Sequence, residues 1–266
     1  MLFDLRGRRR NVIKVVYAVL AILMGASLFL TVGPFSIAEI FNDGGASTNT
    51  AEPYEEEAER IEAKLKKEPQ NSELLLRLTR AQINAGNNLV DIEDNGNRVI
   101  TPEATQEYLQ AYQSWSDYLE ATKDPDPGLA LLVAPMMIQL TEFSRTYPEF
   151  DLRLQTAIDA QRIVAEKQPS VNAWTTLAFY TYFTGDSEAA DKAKTEAKKL
   201  ATNKAEAKAI DTQLKPLEKS AEKFLKEKAQ AEKAEEAENA AGGGGGAARE
   251  SLENPFGGLG GGGLSE

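Results

Sequence analysis

The chain has 266 residues, a net charge of −11, and neither cysteine nor histidine. An acidic balance of this size argues against nucleic-acid binding, which needs a basic face. The missing residue types exclude disulfides, thiolate and Ser-His-Asp catalysis, and zinc sites built on Cys or His. The chain therefore reads as a non-enzyme that needs no cofactor and no metal.

Residues 1–11 hold Arg6, Arg8, Arg9 and Arg10, and Lys14 follows. From Val15 to Gly33 the sequence VVYAVLAILMGASLFLTVG carries no charge. A bilayer core needs about 20 apolar helical residues, so residues 12–33 are expected to form a transmembrane helix. Basic flanks stay on the cytoplasmic side. The N-terminus is thus expected in the cytoplasm and the rest of the chain outside it, as in a single-pass protein of a bacterial plasma membrane. Two other readings compete. Ser36-Ile37-Ala38 has the small-x-small form of a signal-peptide cleavage site, and Arg9-Arg10-Asn11-Val12-Ile13-Lys14 is similar to a twin-arginine export motif.

Residues 34–53 read as a flexible linker, polar and small from Gly44 to Pro53. Residues 54–200 follow with helical periodicity. Ala58, Ile61 and Leu65 recur at spacings of three and four, and Pro69 ends that helix. Leu75, Leu78 and Ile83 mark a second helix, capped by Asn71-Ser72-Glu73 and stopped by Ala85-Gly86-Asn87. Leu89 to Thr101 interrupts the helices. Within it, Asp91 to Asn97 resembles the opening of an EF-hand calcium loop, but Pro102 stands where the bidentate Glu belongs. An acidic turn is the plainer reading.

Thr101-Pro102 starts the next helix, whose Tyr108, Tyr112, Trp115 and Tyr118 share a core-facing stripe. Leu129 to Phe143 is strongly apolar but too short for a second membrane span, so it reads as a buried helix. Tyr147-Pro148 is expected to turn the chain before a helix over Leu152–Lys167. Val171–Gly185 and Ser187–Leu200 form a further pair. No segment alternates with period two, so the fold class is all-α. Residues 201–228 carry Ile210, Leu214, Leu217, Ala221 and Phe224 on one seam, expected to cap the domain or to form a coiled coil. Residues 229–266 lose that seam, become Gly-rich and are expected to be disordered; Asn254-Pro255-Phe256 is a small apolar element within them.

The stretch Asn172–Leu200 resembles a tetratricopeptide repeat (TPR). Trp174, Leu177, Ala178, Gly185, Ala190 and Ala197 stand in register with that family's large, Leu, small, turn-Gly and paired-Ala positions. Thr181 departs from the usual Tyr, and no proline closes the unit near Thr202. Leu75, Leu78, Thr79 and Gly86 fit half of another unit, and Ala157 with Pro169 mark a third. The resemblance covers about half the chain and implies a short α-solenoid of helix pairs. It also implies a partner-binding groove lined by Asn172, Thr175, Phe179, Tyr182 and Phe183, and in the first unit by Arg80 and Asn84 beside Glu73, Leu76 and Ile83; the plainer reading is that these aromatics pack on the neighbouring helix, and a docked Ile210–Leu225 segment would hide them.

The layout is similar to that of the translocon-associated TPR proteins of the bacterial inner membrane. It implies protein or peptide partners, such as translocase subunits or exported chains. The expected function is that of an accessory scaffold or chaperone-like factor in protein export or envelope assembly. The alternative is a self-associating structural subunit of a membrane complex. Gly25, Ala26 and Ser27 permit close helix contact in the membrane, so an oligomer fits either reading.

Overall fold

The computed structural model describes residues 50–92 and 98–240. The expected transmembrane helix over 12–33 and most of the 34–53 linker lie outside the described residues. So do residues 93–97 of the acidic insertion and the tail from 241. Among the described residues no helix is long and apolar enough to cross a membrane.

The domain is all-α apart from one short hairpin. Its helices are α1 (Glu52–Leu65), α2 (Ser72–Asn88), α3 (Pro102–Ala121), α4 (Pro127–Leu140), α5 (Tyr147–Lys167), α6 (Val171–Tyr182), α7 (Ser187–Leu200) and α8 (Lys204–Ala240). Two-residue strands β1 (Asp91–Ile92) and β2 (Arg98–Val99) pair antiparallel between α2 and α3. Asp91 faces Val99 and Ile92 faces Arg98, all exposed.

Local chemistry sets the helix starts. A helix leaves its first backbone N–H groups without partners, and a side-chain oxygen can accept from one of them. Asn71 accepts from Leu74 N at 3.1 Å, Thr101 from Ala104 N at 3.0 Å, and Asp126 from Leu129 N at 2.7 Å. Thr146, Ser170, Asp186 and Asn203 do the same for α5 to α8. Proline occupies the first turn of α1, α3, α4 and α5, where its missing N–H costs nothing. Pro148 therefore lies inside the start of α5; it does not turn the chain ahead of that helix.

Two further expectations need correction. Gly86 does not stop α2, which continues to Asn88. Gly86 is buried, and a Cβ there would sit 2.4 Å from Cε1 and 2.6 Å from Cδ1 of Tyr108. Its role is close approach: the fully buried Tyr108 ring lies against the α2 backbone and its hydroxyl donates to Asn87 Oδ1 at 2.8 Å. The second concerns residues 229–240, expected to be disordered but helical here as the end of α8. Ala, Glu and Lys are strong helix formers without any apolar face. Pro216 lies within α8 without ending it. That proline is exposed, so the carbonyl it leaves unbonded can face water.

Consecutive helices pack against one another. α1 packs on α2, α2 on α3, α4 on α5, α5 on α6 and α6 on α7. α4 also meets α2 and α3 and joins the first pair to the second. It is the most apolar helix, with Leu129, Val133, Ala134, Met137 and Leu140 all fully buried. Pro135 points outward from it. Buried polar side chains fix the joints. Arg153 donates to the Leu140 carbonyl and pairs with Glu149, which ties the end of α4 to α5. Gln161 Nε2 donates to the Ala173 carbonyl at 2.9 Å, tying α5 to α6. Small residues let α6 and α7 approach: Ala178, Ala190 and Ala197 are fully buried. Gly185 makes the turn between them at φ 82°, a left-handed conformation that favours glycine.

Candidate functional site

Two faces of this domain have the shape and chemistry to meet a partner. The first is the aromatic face of α6. Four of its expected groove residues do come together there: Thr175, Phe179, Tyr182 and Phe183. Thr175, Tyr182 and Phe183 are closed off from solvent, and Phe179 is partly so. α8 lies across α6 and α7, and Ile210, Leu214, Ala221 and Phe224 of α8 are buried against the core. The Phe224 ring stands 6.0 Å from Phe183, 5.0 Å from Phe150 and 6.4 Å from Tyr147. At the far side, Lys228 Nζ pairs with Asp151 at 2.5 Å. At the near side, Asp211 pairs with Lys198 at 2.7 Å and Lys194 at 3.5 Å.

Thr175, Tyr182 and Phe183 are thus buried, which corrects their placement in an open groove. Phe183 packs against Phe224 and Phe179, and Thr175 spends its hydroxyl on the Val171 carbonyl at 2.7 Å. The Tyr182 hydroxyl is buried and has no hydrogen-bond partner among the described residues. Burial, with Glu218, Asp191 and Asp211 nearby, pushes its pKa up to about 12. Phe179 is half-buried and Asn172 is exposed. The two expected residues of the first unit lie apart from these. Arg80 is exposed on α2, 4.0 Å from Asp126, and Asn84 is half-buried one turn on. α2 and α6 do not pack on each other. The single groove expected from Arg80 to Phe183 is therefore two separate patches, and α8 covers most of the second. The aromatic stripe of α3 is core: Tyr108, Trp115 and Tyr118 are buried and Tyr112 half-buried.

The second face is open. α1 and α3 both pack on α2 and leave a trough between them on the side away from Arg80 and Asn84. The trough has a volume of about 590 Å³. Its α1 wall carries Glu55, Glu59 and Glu62, spaced four and three apart, one side of a helix. Its α3 wall carries Glu107, Gln110, Gln113 and Asp117. Ala58, Leu78, Gln82 and Ser114 complete the lining and are buried, forming the floor.

Among the described residues no basic side chain lines the trough. Among the described residues, Glu55, Glu59, Glu62, Glu107 and Asp117 form no ion pair; the arginines nearby, Arg60 and Arg77, pair with Glu56 and Glu57 instead. Burial raises the Glu107 carboxyl above its usual range, and the charges of Glu55 and Glu62 raise it further. At the floor, Ser114 Oγ donates to Gln82 Oε1 at 2.8 Å. Gln82 is 2% exposed, and its amide nitrogen has no partner among the described residues.

No protein-family model, no curated protein and no solved structure matches this chain. Sequence reasoning missed the trough because its two walls lie some fifty residues apart, each looking like a solvated helix face. The acid stripe at 55, 59 and 62 was the one visible signal. Among the described residues no three acidic side chains converge closely enough to hold a metal ion.

Proposed function

We propose that this chain is a bacterial single-pass membrane protein whose TPR-like helical domain works outside the cytoplasm as a scaffold that holds protein segments. On this reading it serves protein export or envelope assembly. The observation that carries the proposal is the stack of helix pairs α2/α3, α4/α5 and α6/α7, closed at one end by α8 and leaving a side-chain-lined trough at the other. Stacked pairs of this kind give extended surfaces, not enclosed cavities, and extended surfaces suit chain segments. Support for the TPR-like part comes from Leu177, Ala178, Ala190 and Ala197, buried at the α6–α7 crossing, and from Gly185 at the turn. Support for the membrane part comes from the sequence alone, from the basic cluster ahead of an uncharged run.

Photocrosslinking in native membranes tests the reading. Probes at Arg80 and Asn172 report on the exposed edges of the α2 and α6 faces, and a probe at Lys208, exposed on α8, is the control. Adducts with translocase subunits or exported chains at the first two positions and not at the control are expected. Adducts with copies of this chain alone would refute the proposal in favour of a self-associating structural subunit.

A further inference from the structure

We propose that the trough between α1 and α3 binds an extended, lysine- or arginine-rich segment of a partner protein, with the carboxylate walls taking its side chains and the floor amide of Gln82 taking its backbone. This rests on the reading of the domain as a holder of protein segments and names the kind of segment it holds.

Three observations select that occupant. The first is charge. Five carboxylates from two helices face one trough with no basic side chain among its described lining residues, although Arg60 on α1 and Arg77 on α2 pair with acids outside it. Such an arrangement repels itself: burial raises the Glu107 carboxyl, and the charges of Glu55 and Glu62 add to that rise. A cation laid between the walls relieves that repulsion. The second is spacing. The acids do not converge on a point, so one metal ion cannot satisfy them. From Glu107 to Asp117 the α3 wall runs ten residues, or about 15 Å at 1.5 Å per residue. That length matches four to five residues of extended chain at about 3.3 Å each. In an extended chain successive side chains point to opposite sides, so consecutive basic residues reach the α1 wall and the α3 wall in turn.

The third is the floor. Gln82 is almost wholly buried, its oxygen is held by Ser114, and its amide nitrogen is left without a partner. That nitrogen is not enclosed, since the Tyr182 hydroxyl is the only buried side-chain atom without a partner among the described residues; it opens on the trough, where an acceptor of a bound segment can reach it. A protonated amine or a metal ion offers it no acceptor, whereas a peptide carbonyl does. Gln110 offers a second amide along the α3 wall. Gln113 spends its amide on Asp117 Oδ1 at 3.1 Å, which orients that carboxylate at the end of the wall.

The test uses the full chain in detergent micelles and fluorescence anisotropy with labelled pentalysine; pentaglutamate is the charge control and spermine the competitor without a backbone. Pentalysine is expected to bind and pentaglutamate not to bind. The triple substitution Glu55→Gln, Glu59→Gln and Glu62→Gln is expected to weaken pentalysine about tenfold, the combined size of three exposed ion pairs. The triple Glu120→Gln, Glu166→Gln and Glu188→Gln makes the same charge change at exposed sites outside the trough and should have less than a twofold effect. Gln82→Met keeps the charges and the side-chain length. It is expected to weaken pentalysine at least threefold and leave spermine unchanged, with circular dichroism confirming the helical fold.

Equal loss in the two triple variants would overturn the proposal, because attraction would then come from net charge alone. Spermine competing as well as pentalysine would overturn it too, since the floor amide would play no part. The scaffold reading fails separately: crosslinks at Arg80 and Asn172 that persist while pentalysine does not bind would sink the trough and spare the scaffold. Pentalysine binding at the trough, with crosslinks only to the chain itself, would do the reverse.

Discussion

Phe224→Ala is the perturbation that most directly tests whether α8 is held by its apolar seam. The Phe224 ring is 7% exposed and meets three other rings, Phe150, Phe183 and Tyr147, at 5.0 to 6.4 Å. Truncating a buried Phe costs about 3–5 kcal/mol. The seam has only two other large, fully buried members, Ile210 and Leu214. Burial of a large apolar side chain contributes about 1.5–3 kcal/mol, so the three together supply on the order of 5–9 kcal/mol before the entropy of fixing the helix is subtracted. Losing Phe224 removes half or more of that. The ion pairs from Lys228 and Asp211 are exposed on at least one side and add about 1 kcal/mol or less each. They cannot hold the helix alone. Hydrogen–deuterium exchange on the full chain reads the result. Protection over residues 204–225 should fall by roughly two to three orders of magnitude, since each 1.4 kcal/mol is tenfold. α2 should keep its protection, because among the described residues it shares no packing interface with α8. Unchanged exchange in α8 would refute the seam. A uniform loss in α2 and α8 together would refute the idea that α8 is a separately releasable element.

Three smaller predictions follow from single atoms. Gly86→Ala should destabilise the domain by about 1–3 kcal/mol in urea unfolding; the new methyl would meet the buried Tyr108 ring at 2.4 Å, and this clash outweighs the roughly 1 kcal/mol that alanine gains in a helix. A stabilised variant would mean that Tyr108 moves freely. Tyr182→Phe should raise Tm by about 2–4 °C, because it deletes a buried hydroxyl with no partner at a gain of about 1 kcal/mol; a lowered Tm would reveal a bond to that hydroxyl. Glu107→Gln should stabilise the domain at pH 7. The folded-state carboxyl titrates above its ordinary 4.5, so ionising it costs stability as pH rises from about 4.5 through the folded value. The advantage of Gln over Glu should close as pH falls to 4.5 in thermal melts, and an advantage independent of pH would refute the assignment.

The helices were largely legible in the sequence, and the physical reason is local. Apolar spacings of three and four, with a capping Asn, Thr or Asp ahead of them, determine where a helix starts without reference to the rest of the chain. Asn71 and Thr101 show this. Gly86 is ambiguous in the sequence, because a small residue that ends a helix and one that admits a neighbouring ring look identical in one dimension. Only Tyr108, arriving from α3, tells them apart. Pro148 and Pro216 show a similar limit: what a proline does depends on whether its position lacks an N–H partner anyway or faces water. The site was the less legible part. Phe179, Tyr182 and Phe183 were found as a patch, but whether a patch is a groove or a core depends on what lies over it, and the seam that covers it begins some thirty residues later. The trough was not legible as a unit, because two acid stripes on α1 and α3 become one site only when α2 sets them side by side.

The short connection between α7 and α8, residues 201–203, sets how hard it is for any rival to reach the α6 face. A helix tethered so closely acts on its own site at an effective concentration of at least about a millimolar. A free helix with the same intrinsic affinity, present at about a micromolar, would then occupy the face in roughly one molecule in a thousand. The α6 face is thereby insulated from casual association with apolar segments passing nearby. Only a rival that first weakens the α8 seam, or binds orders of magnitude more tightly than α8 itself, gains access. The open trough at α1 and α3 has no such tethered competitor among the described residues, so the two ends of this domain differ in availability as much as in chemistry.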